Sequence, residues 1–178
     1  MNNLFQVKIF NNDFQKLATN FHCGNAYLDY FLRSPNALDS AFGKTYIMFY
    51  EGNEEIIGFY NIGVGYLEQQ NGSSIDKIGG SIHLNCFALD QKYQKVFYSY
   101  QDNGSKLYLS DFLLNDCFTR VYYLREKYIG FAFITLNSSE EGYNLYFRNG
   151  FEPLEEDMRF STTEKDSGIP MYYALDIE

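Results

Sequence analysis

A chain of 178 residues, 46% hydrophobic and 19% aromatic, has material for the core of one domain and is read as a single domain over residues 1–178. Its formal net charge of −9 and pI near 4.7 oppose attraction to phosphate backbones and argue against a nucleic-acid partner. No window reaches the roughly 18 consecutive apolar residues of a spanning helix, and MNNLFQVKIF lacks the parts of a signal peptide; a soluble cytoplasmic protein with no membrane partner is expected.

The elements follow in chain order. LFQVKIF (4–10) alternates as a half-buried strand, and NNDFQKLATNF continues with a short helical pattern. NAYLDYFLRSPNALDSAF reads as one or two short helices, with Leu28, Phe31 and Leu32 on one face and a break at Pro35. TYIMFY (45–50) and IIGFYNIGVGYLE (56–68) are strands joined by the hairpin run EGNEE. QQNGSSIDKIGG is expected to be a loop and SIHLNCFALD (81–90) a third strand. QKYQKVFYSYQDNGS is expected to be a second loop. A helix over 106–128 is predicted from the stripe Leu107, Leu114, Cys117 or Phe118, Val121 and Leu124. GFAFITLNS (130–138) is a strand, and a short helix carrying Tyr146 follows. Asn149-Gly150 stops that helix, because its C-terminus wants a left-handed residue. FEPLEED and MYYALDIE bracket the polar loop STTEKDSG as a closing hairpin. The pattern is one α/β domain with antiparallel strands first and a strand–helix–strand crossover near the middle.

Few side chains point to chemistry by type alone. Cys23, Cys86 and Cys117 are odd in number with no close pair, so no disulfide framework is expected. The two histidines, His22 and His83, show no ligand spacing such as HExxH, and no metal site is expected. His22 beside Cys23 is a weak nucleophile signal; small buried thiols are the plainer reading. The crossover helix opens near Ser105 to Ser110, after the strand ending at Asp90, where free amides would suit a phosphate-bearing ligand. An ordinary crossover helix explains the same pattern. Tyr146 follows the next strand; a phenol with a pKa of about 10 can protonate a departing thiolate, and equally it can be one more core aromatic.

Four motifs carry a resemblance. LYFRNGF matches [Leu/Phe]-Tyr-x-x-x-Gly-Phe at Leu145, Tyr146, Gly150 and Phe151. Phe87-Ala88-Leu89-Asp90, followed by Tyr93-Gln94, is similar to a Leu-Ala-Val-Asp-like strand end. FHCGNAYLDYFL resembles Phe-x-Cys/Ser-Gly-x-x-x-Leu-Asp-x-Phe/Trp-Leu, and TYIMFY…IIGFYNIG resembles the strand pair that comes next after that segment. In this order, over roughly residues 5–155, the chain resembles the GNAT family of acetyl-CoA-dependent N-acetyltransferases, most nearly its toxin-like subgroup.

The resemblance implies an α/β (α+β) GNAT fold: a mixed central sheet of mainly antiparallel strands, splayed between the fourth and fifth, with helices on both faces. It implies an acyltransferase in which an amine attacks acetyl-CoA directly and Tyr146 protonates the CoA thiolate. Acetyl-CoA, the co-substrate, would pair with backbone at Phe87, Ala88 and Leu89, and its diphosphate would meet the helix start near Lys106, Tyr108 and Ser110, with Asn137 on the neighbouring strand. Glu68 and Asp90 are candidate bases by position only.

The chain departs from the family at the diphosphate loop, where Gln/Arg-x-x-Gly-x-Gly/Ala is usual. Counted from Gln94, the small-residue positions hold Phe97 and Ser99. Counted back from Leu113-Leu114, they hold Tyr108 and Ser110, with about ten residues inserted after Gln94. The acceptor implied is a small-molecule, peptide or protein amine, since the charge opposes the subgroup's aminoacyl-tRNA. A homodimer or an antitoxin-like protein is the partner class. The competing reading is a GNAT-fold binding or regulatory protein without catalysis.

Overall fold

A computed structural model describes residues 5–50, 52, 55–160 and 168–175. The chain divides into two compact units, residues 1–62 with 86–119 and residues 63–85 with 120–178. Two long strands, β3 (Ile56–Asn71) and β4 (Ser74–Leu89), belong to both. The hydrogen-bonded strand order is β1-β2-β3-β4-β7-β10-β8, with β9 on β3.

In the first unit, β1 (Phe5–Ile9) pairs antiparallel with β2 (Lys44–Tyr50), and β2 with the start of β3. Residues 51, 53 and 54 of the expected EGNEE turn lie outside the described residues. Helix α1 (Ala26–Arg33) starts where Asn25 Oδ1 accepts the amides of Tyr27 and Leu28. It stops at Ser34, ahead of Pro35, as a helix before proline should. Its apolar face brings Phe31 and Leu32 into a core with Phe21, Ile47, Phe59, Cys86 and Ala88. The segment before α1 forms short 3-10 turns at Asn12–Phe14 and Leu17–Asn20.

Two expected loops are strands. QQNGSSIDKIGG is a turn at Gly72 and Ser73 inside a continuous β3–β4 hairpin, with Gly72 at φ 61°. A glycine leading a two-residue turn matches the twist of the flanking strands, so pairing runs up to it on both sides. The second expected loop contains β5 (Phe97–Tyr100), which pairs antiparallel with β6 (Lys106–Tyr108). Helix α2 therefore begins at Leu109 and runs to Lys127.

In the second unit, β7 (Phe133–Ser138) lies parallel to β4 over Ser81–Leu84 and antiparallel to β10 (Ile169–Ala174) over six residue pairs. The parallel pairing stops at Leu84–Leu136, although β4 continues to Leu89 and β7 to Ser138. The pairing thus ends early, where a splay is expected, and the mixed α/β architecture expected from the sequence is present. Helix α3 (Tyr143–Arg148) follows β7 and ends before Gly150, whose φ of 91° is the left-handed geometry its position requires. The FEP and MYY segments pair as β8 (Glu152–Pro153) with β10, but β9 (Met158–Phe160) leaves that hairpin to pair with β3. Residues 161–167 of the polar loop lie outside the described residues.

Candidate active site

In the first unit, the strand end and the FHCG segment are bonded to each other. Asp90 is buried; its Oδ2 accepts the His22 amide at 2.9 Å and its Oδ1 the Lys92 amide at 3.1 Å. The Gln91 amide returns to the His22 carbonyl, and Gln94 Nε2 donates to the carbonyls of Cys23 (2.8 Å) and Leu89 (3.1 Å). Two motifs about 70 residues apart are thus one hydrogen-bonded corner. Asp90 spends its carboxylate on backbone amides, which gives it a structural task.

The same corner contains His22, Cys23 and Asp29. Asp29 Oδ1 accepts the Cys23 amide at 2.8 Å, and Oδ2 lies 2.6 Å from His22 Nδ1. Burial pushes the Asp29 carboxyl up, but hydrogen bonds from the Cys23 amide and thiol and from His22 outweigh it and hold the group below its usual range. Burial, aided by the neighbouring Asp29 carboxylate, pushes the Cys23 thiol up to about 12. A thiol so seldom ionised is not a nucleophile at neutral pH. Cys23, Cys86 and Cys117 are all free and buried, as expected.

The hairpin β5–β6 occupies the place of the glycine loop. Phe97 and Tyr108, the alternative readings of the first small-residue position, are cross-strand partners. The insertion closes on itself, so both counts reach the same point. At the start of α2 the Leu109 amide donates to the Val96 carbonyl at 3.1 Å. Asp111, buried in the first turn, reaches back to accept the Tyr108 amide at 2.8 Å. This is one half of a capping box. Two amides that a diphosphate would meet are therefore already donated, and a carboxylate stands at the positive end of the helix. Lys106 is exposed on β6 instead of lying in the helix, Tyr108 ends that strand, and Ser110 is half-buried in the first turn of α2.

On β4, Phe87 is half-buried, Ala88 is in the α1 core and Leu89 is buried. These three lie past the last pairing of β4 with β7, on the stretch expected to meet pantetheine.

In the second unit, Tyr146 sits on α3, buried at 7% exposure, with its ring edge-on to Phe151 at 5.6 Å. A Cβ at Gly142 would stand 3.3 Å from the Tyr146 ring and from the hydroxyls of Ser138 and Ser139. The glycine therefore lets the tyrosine lie against the end of β7. Asn137 is half-buried beside that end. Glu68 on β3 pairs with Arg159 of β9 at 3.4 Å.

His83 has no role expected from its sequence context. It lies on β4 opposite Thr135 of β7, its Nδ1 2.9 Å from the Thr135 hydroxyl, which is itself 3.2 Å from that of Ser81. All three are buried, and the imidazole packs on Phe160 at 5.0 Å. Desolvation pushes its pKa down to about 4, so the ring is neutral at pH 7. The signal available in sequence was a lone histidine in an apolar strand, with Ser81 two residues before it. No group of His, Cys, Asp or Glu fit to hold a metal occurs among the described residues.

No family model and no curated protein matches the chain by sequence. Solved structures do match by fold. A bacterial toxin is similar with a TM-score of 0.71 at 20% identity, over 96% of this chain and 90% of the other. The toxin–antitoxin complex AtaTR bound with acetyl-CoA is similar with a TM-score of 0.71 at 18% identity, over 96% and 93% of the two chains. A tyrosine-to-phenylalanine mutant of KacT is similar with a TM-score of 0.67 at 16% identity, over 96% and 95%. No helix among the described residues is long and apolar enough to cross a membrane. The parallel β4–β7 pair that parts at Leu84–Leu136, the helices that follow its strands and these matches agree: over nearly its whole length the chain has the GNAT fold, in the form seen in the AtaT and KacT toxins.

Proposed function

We propose that the chain is an N-acetyltransferase that moves an acetyl group from acetyl-CoA to a primary amine. The observation that carries this reading is the early end of the β4–β7 pairing, which leaves β4 running on through Phe87, Ala88 and Leu89. An extended pantetheine suits such a stretch, pairing as an added strand would. Acetyl-CoA supplies an activated thioester. Tyr146 is the general acid, its phenol proton passing to the sulfur of the departing thiolate. The buried ring, fixed beside Gly142 and edge-on to Phe151, supports the reading of a firmly held proton donor. Asn137 and Ser110 are the polar contacts proposed for the co-substrate. Lys106 is its nearest cation in sequence to the α2 start, and Tyr108 is the side chain bordering the diphosphate.

The acceptor follows from charge. AtaT has been solved with acetyl-methionyl-tRNAfMet, yet a net charge of −9 disfavours tRNA here and favours a small-molecule, peptide or protein amine. An antitoxin-type chain is the protein partner that the AtaTR comparison brings forward. A second reading, a GNAT-fold binding protein without catalysis, draws on the Asp111 carboxylate and the two spent amides at α2.

Calorimetric titration with acetyl-CoA, with desulfo-CoA for contacts independent of the thioester, tests the proposal. Micromolar binding is expected. No heat and no thermal shift at millimolar ligand would leave the second reading standing, because a ligand of the folded state alone must raise its stability.

A further inference from the structure

We propose that one face of the β5–β6 hairpin is a subsite for the nucleotide end of the co-substrate. Tyr100 lies under the purine, and Lys106 meets the phosphate on the ribose. The inference rests on the acetyltransferase reading and gives residues to the end of acetyl-CoA that reading leaves without any.

Register supplies the first argument. Directly opposed residues of an antiparallel pair lie on one side of the ribbon. Phe97 faces Tyr108 and Tyr100 faces Lys106, while Ser99 faces Leu107. On β6, alternation puts Lys106 and Tyr108 on one side and Leu107 on the other. Phe97, Tyr100, Lys106 and Tyr108 therefore share a face. An odd spacing such as that from Phe97 to Tyr100 would send two side chains to opposite faces of a regular strand. The register shift between Phe97 and Ser99 removes the conflict, as a bulge that re-aims side chains does. The two rings accordingly meet at 4.9 Å. Tyr98, inside the shift, packs instead on Phe112 of α2 at 5.1 Å and on Phe5 at 6.1 Å. Tyr98 fastens the hairpin, whereas Phe97 and Tyr100 remain 46% and 62% exposed.

The occupant follows from place and charge. Tyr108 directly precedes α2, whose start is where the diphosphate is proposed to lie. Tyr100 and Lys106 stand one same-face pair further out, roughly 7 Å at about 3.4 Å per residue. A ribose spans that gap, so the base it carries arrives over Tyr100. A purine offers a flat π-face that stacks on a tyrosine without needing a polar partner. Lys106, exposed and cross-strand from Tyr100, is the cation for the 3′-phosphate of the same ribose. It is the only charged residue on either strand. The amides of Tyr108 and Leu109 are already donated within the protein. Affinity lost at the diphosphate is thus regained at the base.

The test uses the full chain and reads binding alone. Acetyl-CoA, its 3′-dephospho form and S-acetyl-4′-phosphopantetheine, which lacks the nucleoside, are titrated calorimetrically. Tyr100→Ser should weaken acetyl-CoA about tenfold and leave acetyl-phosphopantetheine unchanged. Lys106→Ala should weaken acetyl-CoA about threefold and the dephospho form not at all. Tyr100→Trp keeps a stacking ring and, in a chain without tryptophan, supplies the only indole. Its emission should be quenched by acetyl-CoA and not by acetyl-phosphopantetheine. A Tyr100→Ser chain with wild-type affinity, or indole emission indifferent to bound acetyl-CoA, overturns the subsite and leaves the acetyltransferase reading intact. A wild type that binds acetyl-CoA no tighter than acetyl-phosphopantetheine does the same. Equal weakening of acetyl-CoA and its dephospho form by Lys106→Ala overturns the place of Lys106 at the ribose phosphate. A wild type that binds neither donor overturns the acetyltransferase reading and the subsite with it.

Discussion

The two histidines stand in opposite settings. His22 has an exposed side chain bonded to the buried Asp29 carboxylate, and its backbone bonds Asp90 and Gln91. His83 is a buried ring held by a neutral hydroxyl. The conspicuous cluster, with a histidine, a cysteine and a carboxylate in contact, is a structural joint whose polar groups satisfy one another. The plain one is held by uncharged neighbours alone. Proximity of reactive residue types by itself thus says little about chemistry.

The largest effect should come from the joint. Asp29→Ala strands the Cys23 amide and His22 beside a buried void, and breaking such a buried charged group is expected to cost about 4 kcal/mol of stability in urea unfolding. Because the folded Asp29 carboxyl is held below its usual range, its contribution is full above that range and fades as pH falls through the folded value. A variant within about 1 kcal/mol of the wild type, by the same measure of buried bonds, would reduce the cluster to surface decoration.

His83 should show the opposite dependence on its own charge. Its pKa falls from 6.5 to about 4 on folding, so between those values the unfolded chain takes up a proton that the folded chain refuses. Stability should drop by about 3 kcal/mol as pH falls through this window, with no cost above pH 6.5. Carboxylates titrate in the same range, so the difference between wild type and His83→Gln isolates the histidine. Parallel stability curves for the two would show that the ring is not buried neutral.

Tyr146→Phe keeps the edge-on contact with Phe151 and removes only the hydroxyl. Turnover should fall about a hundredfold while unfolding shifts by no more than about 1 kcal/mol. Unchanged turnover would take Tyr146 out of the mechanism and leave it as packing.

Much of the fold could be read in advance because its signals are local. Asn25 and Pro35 bracket α1, Gly150 ends α3, and runs of apolar residues mark β2 and β7. The two loops that became strands show what local signals miss. QQNGSSIDKIGG is polar and glycine-rich, yet Gly72 permits a tight turn and each arm is held by its partner, so tertiary pairing overrides composition. The site divides in the same way. Tyr146 sits in a motif. The role of Asp90 depends on His22, and the setting of His83 on Thr135, 52 residues away. No spacing in the chain encodes either contact.

The smallest predicted effect runs against the usual direction. Asp111 accepts the Tyr108 amide and sets a negative charge at the start of α2, where the co-substrate diphosphate is proposed to lie. Asp111→Asn keeps an acceptor oxygen for that amide and removes the charge, so the helix cap should persist. An anion near the helix start then feels the positive end of the helix without the opposing carboxylate, a difference of roughly 0.7 kcal/mol. Acetyl-CoA should bind about threefold more tightly, and the gain should shrink with added salt. Dephospho-CoA and desulfo-CoA should show the same gain, because both keep the diphosphate, whereas free pantetheine should show none. If pantetheine gains equally, Asp111 acts through the hairpin and not on the diphosphate, and the departure at this loop reshapes the site without opposing the ligand by charge.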